Sequence, residues 1–359
     1  MRLAFFGSSV VSAYWNGAAT YYRGMLKALA ARGHLNTFFE PDAFDRQGHR
    51  DIDNPEWTDV VVFPPTQDGL LHALETARDA DVIVKFSGVG VLDEELEAGV
   101  LALKRPGQIV IYWDVDAPAT LDRMTANAGD PLRGLVPRFD AVFTYGGGDA
   151  VVKAYCGFGA ASCVPIYNAL DPTTHYPVAP EERFAADLSF LGNRLPDREA
   201  RVEEFFLRPA AAAPGKRFLI GGNGWNDKSM PPNVTKLGHV YTCDHNAINC
   251  SATAVLNINR DSMARYGASP PTRIFEAAGA GACIITDAWS GIADFLEPGN
   301  EILVADDGAA VADLLEALTP ARAQAIGNRA RHRILAEHTY AHRAAQFDAI
   351  LASGWKVAV

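Results

Sequence analysis

The chain has 359 residues, which is too long for one ordinary hydrophobic core and predicts two compact domains of about 150 residues or more each. Hydrophobic residues make up 48% and charged residues 21%, the balance of a folded globular protein rather than of a disordered one. The net charge is −11 and the basic residues are scattered, so we expect no nucleic-acid partner. The sequence contains neither a spanning apolar segment of about 18 residues nor a cleavage site after its first apolar run, so we expect a cytoplasmic protein without a membrane segment.

The first half of the chain alternates short apolar runs with segments of helical period. The runs LAFF, VVVF, VIVKF, IVIYW and AVFTY are typical of buried strands, and GMLKALAARG is typical of a helix. This alternation predicts βαβ units and therefore a parallel sheet.

A Pro-rich segment and a second βα series follow. The segment NALDPTTHYPVAPEER is poor in apolar residues and predicts an interdomain connection with a boundary near Pro177. Strand-like runs then recur at DLSFLGN, KRFLIGG, VLNINR and ACIITD, with a helix at TRIFEAAGA. We therefore expect an α/β protein with Rossmann-like domains over 1–176 and 177–335 that face a cleft, and a C-terminal helix over 336–359 that returns toward the first domain.

The stretch GASPPTRIFEAAGAG contains the most informative strand-to-helix loop. Ligands of open parallel sheets bind beyond the carboxyl ends of strands, where helix N-termini offer free N–H groups. A helix that begins at Pro271 or Thr272 would favour a diphosphate through its dipole, the N–H groups near Ser269 and Thr272, and Arg273. Glu276, about one turn inside the helix, is then within reach of ribose hydroxyls. The alternative is that this helix only packs against the sheet.

Other loops of the second half offer further candidate ligands for a nucleotide. Asn193 follows a strand, and Arg198 opens the next helix and is a candidate clamp on a diphosphate. The GGNGW run contains Gly222 in a turn and Trp225, whose ring either stacks on a nucleobase or caps the core. Arg260 ends another strand and either faces the same cleft or forms a structural ion pair.

The first half contains the candidate base and a polar first loop. Asp114 and Asp116 follow the strand IVIYW, and Asp116 is the preferred candidate for a general base that takes the proton of a substrate hydroxyl. Either residue also suits a turn or a helix cap. Asn16 and Gly17 lie between the first strand and its helix, where they either contact a sugar or diphosphate or cap the helix. The run GHVYTCDHNAINC lacks paired metal-ligand spacing, so we expect no metal site.

Several motifs, in order, resemble the CgeB-like glycosyltransferases. The longest is LNINRDSMARYGASPPTRIFEAAGAGACIITDAWSGIADFLEPGNEILVA, and the others are NGAATYYRGMLKALAARGH, YWDVDAPATL, LSFLGNRLPDR and AEHTYAHRA. The resemblance implies the GT-B fold and transfer of a hexose-type sugar from a UDP-, GDP- or dTDP-sugar, bound mainly by the second domain, to an unidentified glycan, protein or small-molecule acceptor. It implies no permanently bound cofactor and activity without metal.

The resemblance also assigns individual residues. Glu276 matches the carboxylate that binds the donor ribose, and Ser269 to Thr272, with Pro271 among them, match the diphosphate-facing loop. Many retaining members have a glutamate eight residues before the ribose carboxylate, whereas this chain has Ala268, so the stereochemistry does not follow from the resemblance. A nucleotide-sugar epimerase or hydrolase, and a non-catalytic nucleotide-sugar-binding module, remain alternative functions.

Overall fold

The computed structural model describes residues 1–354, apart from the side chains of Asp197 and Ser262. The chain forms two compact units, one made of Met1–Tyr167 together with the chain from Tyr340 onward, and one made of Asn168–Thr339. Residues 355–359, which the predicted C-terminal helix included, lie outside the described residues.

The first unit is a parallel sheet with helices between its strands. Its strands are β1 Arg2–Phe6, β2 Leu35–Pro41, β3 Asp59–Phe63, β4 Val82–Phe86, β5 Ile109–Asp114, β6 Ala141–Thr144 and β7 Cys163–Pro165. Its helices are α1 Ala19–Ala31, α2 Gln67–Ala77, α3 Asp93–Ala102, α4 Ala117–Ala126, α5 Pro131–Leu135, α6 Gly148–Gly157 and, after the second unit, α14 Tyr340–Ser353. The strand order β3-β2-β1-β4-β5-β6-β7 reverses direction between β1 and β4. A ligand site is therefore expected beyond the carboxyl ends of these two strands.

Aromatic side chains attach α14 to the first unit. Phe347 of α14 stacks on Trp113 of β5 with ring centroids 5.9 Å apart. A Cβ atom at Gly24 of α1 would lie 2.2 Å from the ring of Tyr340, so only glycine permits this helix contact. Asp348 accepts hydrogen bonds from Arg32 and His34 at 2.5 and 2.8 Å.

The second unit repeats the architecture with six parallel strands. Its strands are β8 Ala186–Leu191, β9 Phe218–Gly221, β10 Val234–Gly238, β11 Ala252–Asn257, β12 Ile284–Asp287 and β13 Leu303–Ala305. Its helices are α7 Pro196–Val202, α8 Arg208–Ala212, α9 His245–Ser251, α10 Asp261–Tyr266, α11 Thr272–Gly279, α12 Gly308–Ala317 and α13 Pro320–Glu337, and a π-helical segment, Glu203–Leu207, joins α7 to α8. The order β10-β9-β8-β11-β12-β13 reverses between β8 and β11.

The helical C-terminal region is interrupted between α13 and α14. At this point the chain leaves the second unit, where the Leu170 N–H donates to the His338 carbonyl oxygen at 2.9 Å. Leu170 and Thr339 also form an isolated parallel bridge. The two segments that connect the units along the chain, near Leu170 and near Thr339, are therefore bonded to each other through their backbones. Within residues 1–354, no helix combines the length and the apolar character that a membrane span requires.

Candidate functional site

The candidate site lies at the carboxyl edge of the second sheet, where the strand order reverses. The loop Gly192–Leu195 follows β8, and the loop Ile258–Arg260 follows β11, so the two loops emerge side by side at this point. Helix α11 runs from this edge back to β12. Open α/β sheets bind ligands at such a position.

The N-terminus of α11 follows a strained turn. Gly267 and Ala268 both have positive φ, 69° and 36°, and the second value is unusual for a residue with a side chain. Ser290 holds the turn, because its carbonyl oxygen accepts from the Ala268 N–H at 2.6 Å. Ser269 is 2% exposed, and its hydroxyl donates to the Gly267 carbonyl oxygen.

Pro271 is the N-cap of α11, and the helix begins at Thr272. Proline offers no side-chain acceptor, and its fixed φ, here −65°, suits the start of a helix. The first turn also contains no acidic residue. The helix dipole and the first N–H groups are therefore available to an anion.

Two arginines and one carboxylate interact electrostatically close to this helix start. Burial lowers the pKa of Arg273 to about 10; the Glu276 carboxylate opposes this shift and the Arg198 guanidinium adds to it. Arg273 remains charged at neutral pH, with its guanidinium 6.0 Å from the centre of the Phe190 ring. Arg198 donates to the Asn193 carbonyl oxygen at 3.3 Å. Two positive charges thus lie close enough to interact near one helix N-terminus, which favours an anion with more than one charge.

Two histidines approach Glu276. The His175 Nε2 atom lies 3.9 Å from a Glu276 carboxylate oxygen, and the side chains are 7% and 17% exposed. His245, the first residue of α9, has a pKa lowered by burial, with Glu276 opposing the shift and Arg273 and His175 adding to it. His245 is therefore neutral at pH 7.

The turns after β8 and β9 fit closely against each other. A Cβ atom at Gly222, where φ is 124°, would lie 2.3 Å from the Gly192 carbonyl oxygen. That same oxygen accepts from the Trp225 indole N–H at 2.7 Å. The Asn193 side-chain oxygen accepts from the Asn223 N–H at 2.9 Å. Trp225 is 1% exposed and lies in the core, the second of the two interpretations that the sequence left open.

The strand ends nearby contain an ion pair and a buried amide. Arg201 pairs with the fully buried Asp287, whose carboxylate also accepts from the Asn259 N–H at 3.1 Å. Burial raises the pKa of Asp287, and Arg201 opposes this rise. The Asn259 side chain is 1% exposed, and its amide atoms have no hydrogen-bond partner within residues 1–354. Arg260 is the half-buried N-cap of α10.

The two candidate bases of the first unit have different surroundings. Asp114 is fully buried and accepts from Ser87, Thr120, Tyr155 and the Asp116 N–H. Its carboxylate oxygens thus serve the structure of the β5–α4 turn. Asp116 is the half-buried N-cap of α4, and its side chain makes no capping hydrogen bond.

The first loop is held together by Asn16. Its side-chain amide donates to the carbonyl oxygens of Ser9 and Ser12 at 2.7 and 3.0 Å and accepts from Ser8 at 2.9 Å. Gly17 is exposed, and a Cβ atom there would meet no atom within 4 Å. Helix α1 begins two residues later, with Ala18 as its N-cap.

Sequence reasoning missed His175 and Asn259, and it set aside His245, within GHVYTCDHNAINC, as a metal ligand because that run lacks paired spacing. His175 and His245 approach Glu276 from segments far away in sequence, so no local spacing marks the group. The only local signal for Asn259 is its position at a strand end, in NINR, just before the candidate Arg260.

Comparisons with known proteins agree with this architecture. Anabaena HepE in complex with UDP and glucose is 14% identical, has a TM-score of 0.69, and is aligned over 98% of this chain and 100% of its own. Sucrose-phosphate synthase from Thermosynechococcus elongatus is 14% identical with a TM-score of 0.68, over 98% of both chains. An alpha-glucosyltransferase in complex with UDP-glucose and DNA containing an abasic site is 14% identical with a TM-score of 0.71, over 98% of this chain and 99% of its own.

These likenesses define the class of fold. The two parallel α/β units and the structural neighbours show that the chain has the GT-B fold, as the sequence predicted. Residues 198–349 match the family model described as glycosyl transferase-like, and this region contains α11 and Glu276. No curated protein sequence is similar enough to this chain to match it. The CgeB-like resemblance stays a prediction.

Proposed function

We propose that this protein is a CgeB-like, hexosyl-transferring enzyme that uses a nucleoside diphosphate sugar as donor. The observation that carries the proposal is the helix start of α11, where Arg273 lies in the first turn and interacts with the Arg198 guanidinium, and Glu276 lies one turn inside. The family match over 198–349 covers this arrangement and supports glycosyl transfer as the reaction.

The chemistry of the arrangement fits a diphosphate leaving group. When the bond between the sugar C1 and the phosphate oxygen breaks, negative charge develops on the diphosphate. The α11 dipole, the Thr272 and Arg273 N–H groups and the two guanidinium groups stabilise that charge without a metal ion. Glu276 accepts hydrogen bonds from the ribose hydroxyls. UDP, GDP and dTDP share the diphosphate, so this part of the site accepts each of them.

We assign the acceptor to the first unit. Asp116 takes the proton of the acceptor hydroxyl as its oxygen bonds to C1, and the nucleoside diphosphate leaves with the electron pair of the broken bond. Asp114 is fully buried with four donors, so we assign it the role of fixing the turn that presents Asp116. That Asn16 and Gly17, in the first loop of this unit, contact the donor stays a prediction.

A nucleotide panel tests donor binding. Thermal shift and calorimetry are run with UDP, GDP and dTDP, with the matching monophosphates, and with the nucleosides. We expect the diphosphate to bind more tightly than the monophosphate by tenfold or more, because about 1.4 kcal/mol of added charge interaction gives a factor of ten. Arg198→Gln reduces this preference, whereas Arg217→Gln, whose side chain is 66% exposed on the same unit, leaves it unchanged.

Incubation with the donor alone separates the transferase from its alternatives. A transferase releases little free sugar until an acceptor hydroxyl is supplied, whereas a hydrolase releases sugar and diphosphate together, and an epimerase changes the sugar without releasing it. If no nucleotide raises the melting temperature, or if Arg198→Gln and Arg217→Gln behave alike, the assignment of the donor site is wrong.

A further inference from the structure

The surroundings of Glu276 contain a second possible binding function. His175 lies in the turn that follows Asp171, His245 begins α9, and Glu276 lies in α11. One ligand atom from each of the three side chains lies within 4.8 Å of the other two. All three belong to the second unit, so their arrangement does not depend on the first.

The spacing of this group differs from that of a hydrogen-bonded network. The His175 Nε2 atom and the nearest Glu276 oxygen are 3.9 Å apart, which is longer than the about 3.2 Å limit of an N–H···O hydrogen bond. Two groups bound to one zinc ion at about 2.0–2.1 Å in a tetrahedron are roughly 3.4 Å apart. A contraction of about half an ångström would bring the pair from its present separation to that value.

The His175 imidazole is oriented as a metal ligand usually is. The His175 Nδ1 atom lies 3.0 Å from the Thr174 hydroxyl oxygen, which leaves Nε2 facing Glu276. Ligating histidines commonly use the second ring nitrogen in such a bond, which fixes the tautomer and the ring plane.

We propose that His175, His245 and Glu276 bind one divalent transition-metal ion, for which zinc is the best match. Two imidazole nitrogens and one carboxylate oxygen form a ligand set that zinc accepts, with water as the fourth ligand. Arg273 is the cation that opposes binding, so we expect a dissociation constant in the micromolar range rather than the far tighter binding of a closed structural site.

The position of this site has a regulatory consequence that rests on the proposed function. Glu276 is the proposed ribose ligand, and zinc bound to one of its two carboxylate oxygens leaves fewer lone pairs, and less negative charge, for the ribose hydroxyls. Zinc and the nucleotide donor therefore weaken each other's binding, so zinc inhibits an enzyme that needs no metal for transfer.

Metal binding is measured first, without nucleotide. The full chain is stripped with chelator and titrated with Co²⁺, whose visible absorption increases strongly in a tetrahedral site, and then with Zn²⁺ against a chromophoric chelator. We expect one ion per chain. His245→Gln and His175→Gln weaken binding at least tenfold, whereas His239→Gln, an exposed histidine outside the group, changes it less than twofold.

The outcomes are distinct. Absence of a stoichiometric Co²⁺ or Zn²⁺ site below 1 mM overturns the proposal, and so does a site that survives both His175→Gln and His245→Gln. If the buried His175 variant fails to fold, His245→Gln decides alone, because His245 is half-buried at a helix start. Circular dichroism without metal confirms that each variant is folded.

A competition experiment then separates the metal site from the proposed function. UDP is titrated into the protein with and without saturating zinc. Weaker UDP binding with zinc supports shared use of Glu276. UDP that binds equally with and without zinc overturns the proposed competition at Glu276 but leaves the metal site established. Zinc binding in a protein that binds no nucleotide refutes the proposed function alone.

Discussion

The replacement Glu276→Gln tests the ribose assignment without changing the shape of the side chain. In the native protein the Glu276 side chain is 17% exposed, so solvent screens its carboxylate charge only in part. A hydrogen bond to a charged group contributes about 1.5–3 kcal/mol, and each 1.4 kcal/mol changes a dissociation constant tenfold. We therefore expect Glu276→Gln to weaken UDP binding by roughly 10- to 150-fold.

The same replacement has little effect on the diphosphate contacts. The Glu276 charge holds the pKa of Arg273 up, against burial and Arg198, and the resulting pKa is about 10. Loss of that charge lowers the pKa of Arg273, but Arg273 stays protonated at pH 7 and keeps its contact with phosphate. Removal of a neighbouring negative charge also does not weaken the binding of an anion. Affinity for inorganic pyrophosphate is therefore unchanged or slightly higher.

Calorimetry with three ligands separates these effects. UDP, 2′,3′-dideoxy-UDP and pyrophosphate are titrated into the native protein and Glu276→Gln, in buffer with EDTA to exclude zinc. The native protein prefers UDP to its dideoxy analogue, and the variant loses that preference. Glu316→Gln, on the exposed face of α12, is the matched control. Equal losses for UDP and pyrophosphate, or an unchanged preference for UDP, would refute the ribose assignment.

Four further results are expected. Asp116→Asn lowers turnover by about 10²- to 10⁴-fold in steady-state kinetics, and calorimetry finds donor affinity within twofold of the native value. Normal turnover would refute the role of Asp116 as the base. Asp114→Asn instead lowers the free energy of unfolding by about 2–4 kcal/mol in urea titration, because a neutral amide replaces a buried acceptor of four hydrogen bonds; an unchanged midpoint would contradict this. Gly222→Ala destabilises by about 3 kcal/mol or more, because its Cβ would lie 2.3 Å from the Gly192 carbonyl oxygen at a φ of 124°; unchanged thermal unfolding would contradict the fit. Transfer activity is unaffected by EDTA, and a loss that Mg²⁺ restores would mean that a metal takes part.

Strand and helix patterns made the fold predictable because both sheets are parallel and buried. Runs such as VIVKF are buried at every position in the structure, which is what a covered parallel strand requires. The start of α11 was equally predictable from the sequence, because proline can occupy the N-cap and the first turn of a helix but not its interior. These signals are local in sequence, so they do not depend on the tertiary arrangement.

The surroundings of the site were less predictable because they depend on tertiary contacts. Asp114 and Asp116 have the same residue type at one strand end, and only the packing of Tyr155 and Thr120 distinguishes the buried carboxylate from the half-buried one. Trp225 follows a glycine turn, as a stacking ring would, but its indole N–H is used by the Gly192 carbonyl oxygen inside the core. The local sequence predicts neither the packing around Asp114 nor the contact between Trp225 and Gly192.

The most direct test of the donor site is a crystal structure with UDP bound. The account predicts phosphate oxygens about 3 Å from the Thr272 or Arg273 backbone nitrogen, and ribose hydroxyls in hydrogen-bond contact with the Glu276 carboxylate. A UDP molecule seated elsewhere on the chain, or at this helix start with its ribose directed away from Glu276, would contradict it.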